Sequence, residues 1–190
     1  MNIQTFKSIV TLKLFNKLRL KNQAKVNISP LAKLRGCHIQ IQGQNNTLSI
    51  EANTYLKNTH IEILGNDCHV HIGRHVHIGD NCYLSAREAG TTLSIGDHTC
   101  LSRNVKLMTS DGHDILKDGA RINQARSINI GESVWITDNV TVLKGVTVGK
   151  GAVLGINSTV TKSVGEKQVA VGNPAKVVAD NIEWKASLTY

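Results

Sequence analysis

The stretch IGESVWITDNVTVLKGVTVGKGAVLGINSTVTKSV, residues 130–164, places an aliphatic residue at every sixth position: Ile130, Ile136, Val142, Val148, Leu154 and Val160. Four residues after each stands a small or β-branched one: Val134, Val140, Val146, Ala152, Ser158 and Val164. A period of six matches neither a helix nor a long flat strand. It does match short strands joined by tight corners. Alternate side chains of a strand share a face, so each aliphatic residue and the one two before it point inward, and the chain must turn before the next pair. Turn-forming residues stand there: Gly131, Asp138, Asn139, Gly149 and Gly155 supply positive φ or side-chain-stabilised turns. Three such steps close one triangular coil of about eighteen residues, and stacked coils bury a continuous aliphatic column.

Working upstream, Ile72, Ile78 and Leu84, then Ile95, Leu101 and Leu107, keep the same step with one interruption at 85–94, and Gly73, Gly79, Asp80, Asn81, Gly96 and Asp97 stand at the turns. Further back the pattern loosens into pairs, Ile39 and Ile41, Leu48 and Ile50, Ile61 and Ile63, Val70 and Ile72, around Gly43, Asn45, Asn46, Gly65 and Asn66. These predict irregular early coils. Composition agrees: 41% of the 190 residues are hydrophobic but only 4% aromatic, so one domain must pack its core with aliphatic and small side chains. The expected fold class is all-β, and most of these residues serve only as scaffold.

The net charge of +8 is unevenly placed. Lys7, Lys13, Lys17, Arg19, Lys21, Lys25, Lys33 and Arg35 precede the first acidic residue, Glu51, and the remaining chain is balanced. A neutral body gives no reason to expect a nucleic-acid partner. Among the early charges Ile3, Phe6, Val10, Leu14 and Leu18 recur every three or four residues, which predicts a basic amphipathic helix over residues 1–35. Such a helix either caps one end of the domain or lies on an anionic membrane surface. Lysines interrupt every apolar run, so neither a signal-peptide core nor a membrane span is expected. Cys37, Cys68, Cys82 and Cys100 form no C-x-x-C pair, and reduced thiols in a cytoplasmic protein are expected.

The coil rhythm breaks between Leu107 and Ile130. There MTSDGHDILKDGARINQARSIN, residues 108–129, must leave the prism as a loop, and a long loop in a compact domain is usually functional. It carries His113 between Gly112 and Asp114. Read alone, this is either a surface histidine in an Asp-Gly turn or a placed base. His69, His71, His75 and His77 invite a metal reading. Their inward neighbours turn all four outward, however, and residues two apart on a strand are roughly 7 Å apart, so no metal site is expected.

The run 130–164, followed by AVGNPAKVV at 170–178, resembles the bacterial hexapeptide-repeat acyltransferases, especially the branch that O-acetylates capsular and other surface polysaccharides. The likeness spans residues 39–185 and is most specific over 93–178. It implies a left-handed parallel β-helix over 36–178, with the catalytic loop at 108–129 and a short tail at 179–190. It further implies a homotrimer whose subunits share the active site, acetyl-coenzyme A as co-substrate, and a saccharide hydroxyl as acceptor.

On that resemblance His113 takes the acceptor proton as the oxygen attacks the thioester. Imidazole ordinarily titrates near working pH, and such base catalysis contributes on the order of a hundred- to ten-thousand-fold. No Ser or Cys is placed as a covalent nucleophile, so direct transfer is expected. Asp111 and Asp114 orient the imidazole or only make the turn; Asp111 is assigned to catalysis, and Ser85 and Asp114 to the acceptor. Trp135, between inward Val134 and Ile136, must point outward, and the matching tryptophan of the family lies along the pantetheine arm; trimer packing is its other reading. Gly155 and Ile156 match positions beside the pantetheine, Thr161 and Lys162 its Thr-Lys pair near the nucleotide, and Lys176 a phosphate contact. Asp138 and Ile156 replace the smaller residues common there, and Asp138 is left out of the site.

Three rivals remain open. One is N-acetylation of an amino sugar or nucleotide-linked sugar. Another is a non-catalytic scaffold, which leaves the loop and Trp135 without purpose. A zinc carbonic anhydrase of the same fold wants a second histidine just beyond His113, where Lys117 and Asp118 stand.

Overall fold

The computed structural model describes residues 12–22 and 24–187. All twelve residues of the sixfold template at 130–164 are buried, at 5% exposure or less. They line the inside of a parallel β-solenoid of about six turns. Three sheets form its faces. The first face has seven strands and begins with Lys17–Leu20; the second has six and begins with Lys25–Ile28; the third has eight and begins with Lys33–Arg35. Apart from the last, Ala175–Ala179, each strand of these faces pairs in parallel with the strand one coil away, as Thr141 with Thr159 and Trp135 with Val153. The core is a stack of Ile, Leu and Val close to 0% exposed, each contributing roughly 1.5–3 kcal/mol by leaving water.

The register explains why the rhythm loosens upstream. Thr141 pairs with Thr159, a step of 18, whereas His38 pairs with His60, a step of 22. Early coils use longer strands, His38–Gln42 and His60–Leu64, and larger corners, so their inward residues drift from a strict period of six.

Gly96 and Gly131 owe their corner places to space more than to φ. Positive φ falls on His75, Asn81, His98, Ser133, Asn139 and Asn157, while Gly96 and Gly131 lack it. Instead a Cβ on Gly96 would lie 2.6 Å from the carbonyl carbon of Gly131. Coils touch backbone to backbone at that corner, and only hydrogen fits.

The expected helix over residues 1–35 is corrected for the part described. Residues 12–15 form a single helical turn, and residues 1–11 lie outside the described residues. From Lys17 the chain is already solenoid: Lys17–Leu20 pairs with His38–Gln42, and Lys33–Arg35 with Tyr55–Lys57. Leu18, Val26, Ile28 and Leu34 pack on the core between outward Lys and Arg. That alternation has period two, and a strand that completes the exposed end of a sheet outweighs a weak helical stripe. The β-helix thus begins at residue 17, not 36. No described helix is long and apolar enough to cross a membrane. The four cysteines are free thiols.

Candidate functional site

The three faces meet at three edges, and the candidate residues divide between two of them. The loop edge joins the first face to the second. Residues 109–127 leave the solenoid there, between Lys106–Met108 and Ile128–Ile130. The loop ends in a small antiparallel ribbon, Leu116–Lys117 against Ala120–Arg121, turned by Asp118 and Gly119. Both turn residues have positive φ, 52° and 76°, the two-residue turn that Asp-Gly favours. Ile115, Leu116 and Ile122 leave the ribbon more than half exposed.

His113 is exposed at the base of this loop. Its backbone is held by Asn123, which is buried on the returning leg. The Asn123 side-chain amide donates to the His113 carbonyl oxygen and to Asp111 Oδ2, each at 2.8 Å, and its Oδ1 accepts from the Ile115 N–H at 2.8 Å. Lys144, one coil on, donates to Asp111 Oδ2 and to the Asn123 carbonyl oxygen. The Lys144 ammonium holds the Asp111 carboxyl below the usual range, with Asn123 adding to the effect. Asp111 is therefore engaged by the Asn123 and Lys144 side chains, which in turn bond the loop backbone. Asp114 pairs with Arg121 at 3.0 Å, and Arg121 with Glu88 at 2.7 Å.

Beneath the loop, Glu62 projects from the first face yet is only 7% exposed. It accepts from Arg87 Nε and Tyr83 OH, each at 2.7 Å, and from Ser85 at 3.4 Å. Burial alone raises its pKa; the bonds from Arg87 and Tyr83 outweigh that and hold it low. Ser85, expected at the acceptor, is 3% exposed and belongs to this floor. A Cβ on Gly112 would lie 3.4 Å from Arg87 Nη1, so the floor reaches the residue before His113.

The cleft edge joins the third face to the first. A cleft of about 580 Å³ runs along it, lined among others by His77, Asp80, Arg103, Trp135, Asp138 and Ile156. Trp135 stands outward on the third face, 37% exposed, and its Nε1 donates to Ser102 Oγ at 3.3 Å. Ile156 is 60% exposed. A Cβ on Gly155 would meet Val171 at 2.3 Å. Asp138 lines the cleft but is neutralised by Arg103, which donates to it from both backbone and guanidinium. Arg74 and Asp97 make the same arrangement at another corner, so this is a coil-joining device.

Thr161 and Lys162 follow Thr159–Val160 and lie on the loop edge with His113. Lys176 is exposed on Ala175–Ala179, which folds back antiparallel on Val169–Gly172. His113 and Trp135 thus occupy different edges of one chain, separated by the width of a face, on the order of 15 Å at 3.3 Å per residue.

The histidines at 69, 71, 75 and 77 spread over the second face, the remaining edge and the third face. Among the described residues no group of three or more metal-ligating side chains comes together. Sequence reading missed Asn123, Lys144, Arg87 and Glu62. Their partners stand up to 33 positions away, and nothing local in the chain marks them.

No family model matches the chain, and no curated protein does. Solved structures do. The chain is similar to the polysialic acid-specific acetyltransferase NeuO, 29% identical over 90% of this chain and 89% of that one, with a TM-score of 0.75. The polysialic acid O-acetyltransferase OatWY is 24% identical over 92% and 93%, with a TM-score of 0.68. AntD, an N-acyltransferase from Bacillus cereus, shares the fold at 18% identity over 95% and 88%, with a TM-score of 0.55. The sixfold rhythm, the three-faced coil it winds and the likeness to NeuO mark this chain as an acyltransferase similar to the hexapeptide-repeat acetyltransferases, the left-handed β-helix enzymes.

Proposed function

We propose that the chain transfers an acetyl group from acetyl-coenzyme A to a hydroxyl of a surface saccharide, with His113 as general base, in a trimer whose active sites lie between subunits. The observation that carries this reading is the separation of His113, on the loop edge, from the cleft of Trp135 and Ile156 on the cleft edge. A closed ring of three identical chains sets the loop edge of each against the cleft edge of the next. His113 of one chain then meets the donor bound in the cleft of its neighbour. Thr161 and Lys162, on the loop edge, join the same site from the His113 side, and Lys176 supplies a cation for the donor phosphates.

In the reaction the imidazole of His113 removes the hydroxyl proton as the oxygen attacks the thioester carbonyl. The tetrahedral intermediate collapses, the carbon–sulfur bond breaks, and the coenzyme A thiolate leaves and takes the proton from the imidazolium. The protein's share is the positioning of base and hydroxyl, which the Asn123 and Lys144 latch supplies by fixing the loop backbone.

NeuO acts on polysialic acid, so oligosialic acid leads the acceptor panel, followed by neutral oligosaccharides and amino sugars. With acetyl-coenzyme A and that panel, the native protein yields an ester-linked product and His113→Ala loses at least about a hundredfold in turnover. An amide-linked product defeats the O-transfer reading. Equal turnover in the two proteins defeats the assignment of His113.

A further inference from the structure

The two tryptophans of the chain stand 49 positions apart in sequence, and the fold lays one against the other. Their ring centroids are 5.8 Å apart at an interplanar angle of 34°. Trp135 belongs to the third face. Trp184 comes from the segment after the last strand, which the sequence alone presents as a tail. That segment is fastened along the edge between the second and third faces. The Ile182 N–H donates to the Lys167 carbonyl oxygen at 3.0 Å, and Gln168 donates to Asp180 at 2.7 Å. Trp184 Nε1 donates to the Ser133 carbonyl oxygen at 2.6 Å.

Trp135 is thus gripped on two sides, by Ser102 at the cleft and by Trp184 on the side away from it. An outward indole on a two-residue strand has few neighbours to fix its χ angles. Paired aromatic rings attract beyond their buried area, and a side chain held in one rotamer loses less freedom when a ligand packs on it.

We propose that Trp184 is a positioning residue of the donor site: it holds the Trp135 indole along the cleft wall, and the 180–187 segment is part of the coenzyme A-binding apparatus. This rests on the reading that Trp135 faces the donor. Trp184 touches no substrate; it acts through Trp135.

The test compares Trp184→Ala, Trp184→Phe and Trp135→Ala in the full-length protein, by initial rates against acetyl-coenzyme A and by quenching of tryptophan fluorescence with coenzyme A. Trp184→Ala is expected to raise KM for acetyl-coenzyme A by about two- to tenfold, with kcat and the melting temperature nearly unchanged. Trp184→Phe restores most of the loss, because a smaller ring still packs on Trp135. In Trp184→Ala the quenching of Trp135 shifts to higher coenzyme A concentration by the same factor. An unchanged KM in Trp184→Ala while Trp135→Ala raises it overturns the proposal and leaves the donor site where it was placed. An unchanged KM in both variants overturns the placement of the donor, and this inference with it.

Discussion

The side-chain amide of Asn123 donates to the backbone carbonyl oxygen of His113 at 2.8 Å. One buried side chain thereby ties the outgoing leg of the loop, at Asp111 and His113, to the returning leg. The ring of His113 makes no hydrogen bond among the described residues; its place is set through its backbone.

Asn123→Ala removes three hydrogen bonds at 2.8 Å from the loop base, each worth about 1 kcal/mol net. The solenoid core lies elsewhere, so the loss falls on loop order. Turnover is expected to fall about tenfold to a hundredfold while the melting temperature drops by only a few degrees. Limited proteolysis within residues 113–122 should speed up in parallel. A variant that keeps full turnover shows that the latch has no bearing on His113.

Gly96→Ala tests the backbone contact between coils. The added methyl meets the backbone of Gly131 and Glu132 at 2.6–2.7 Å, and neither can move without parting two coils. A loss of roughly 2–4 kcal/mol in denaturant unfolding is expected. Gly90→Ala is the control: its φ of 75° strains any side chain, but nothing lies within 4 Å, so the cost should stay near 1–2 kcal/mol.

The first coils should weaken in mild acid. His38 and His60 stack at 4.5 Å on the first face, and the Nε2 of each is buried without a hydrogen bond. Burial, then His60, Lys17 and Arg19, lower the His38 pKa below its ordinary 6.5, against a small opposing effect of Glu62. A lowered folded pKa means that the unfolded chain binds the proton first. The contribution is therefore complete above about 6.5 and is lost as pH falls through the folded value. Melting temperature should decline between pH 7 and 5, and less steeply in His38→Phe; parallel declines in the two proteins exclude His38 as the cause.

The ribbon at the loop tip offers Ile115, Leu116 and Ile122 at 52%, 62% and 56% exposure. In the proposed ring these side chains bury against the neighbouring subunit. Replacing all three by Ser should shift sedimentation from trimer toward monomer and lower activity together, since the proposed site needs two chains. Trimer retained by the triple variant places the contact elsewhere.

The inward residues and the long excursion were legible from the chain alone because both are local properties. Whether Val142 points inward depends on its own strand and corner, and six repeats of one pattern leave no second solution; a break of some twenty residues can only leave the coil. The alternation of Leu18, Val26 and Leu34 with Lys and Arg was equally local, but a helical stripe competed with it, and the pairing of Lys17–Leu20 with His38–Gln42 settled the matter. What lay beyond reach of the sequence were the meetings between coils: Asp111 with Lys144, Glu62 with Arg87, Trp135 with Trp184. Each depends on how many residues every intervening turn consumes, 22 in one coil and 18 in another. A shift of one residue in any corner moves every later side chain to another place on the prism. For the same reason only the tertiary structure placed His113 on one edge and Trp135 beside another, the division on which the proposed two-chain site rests.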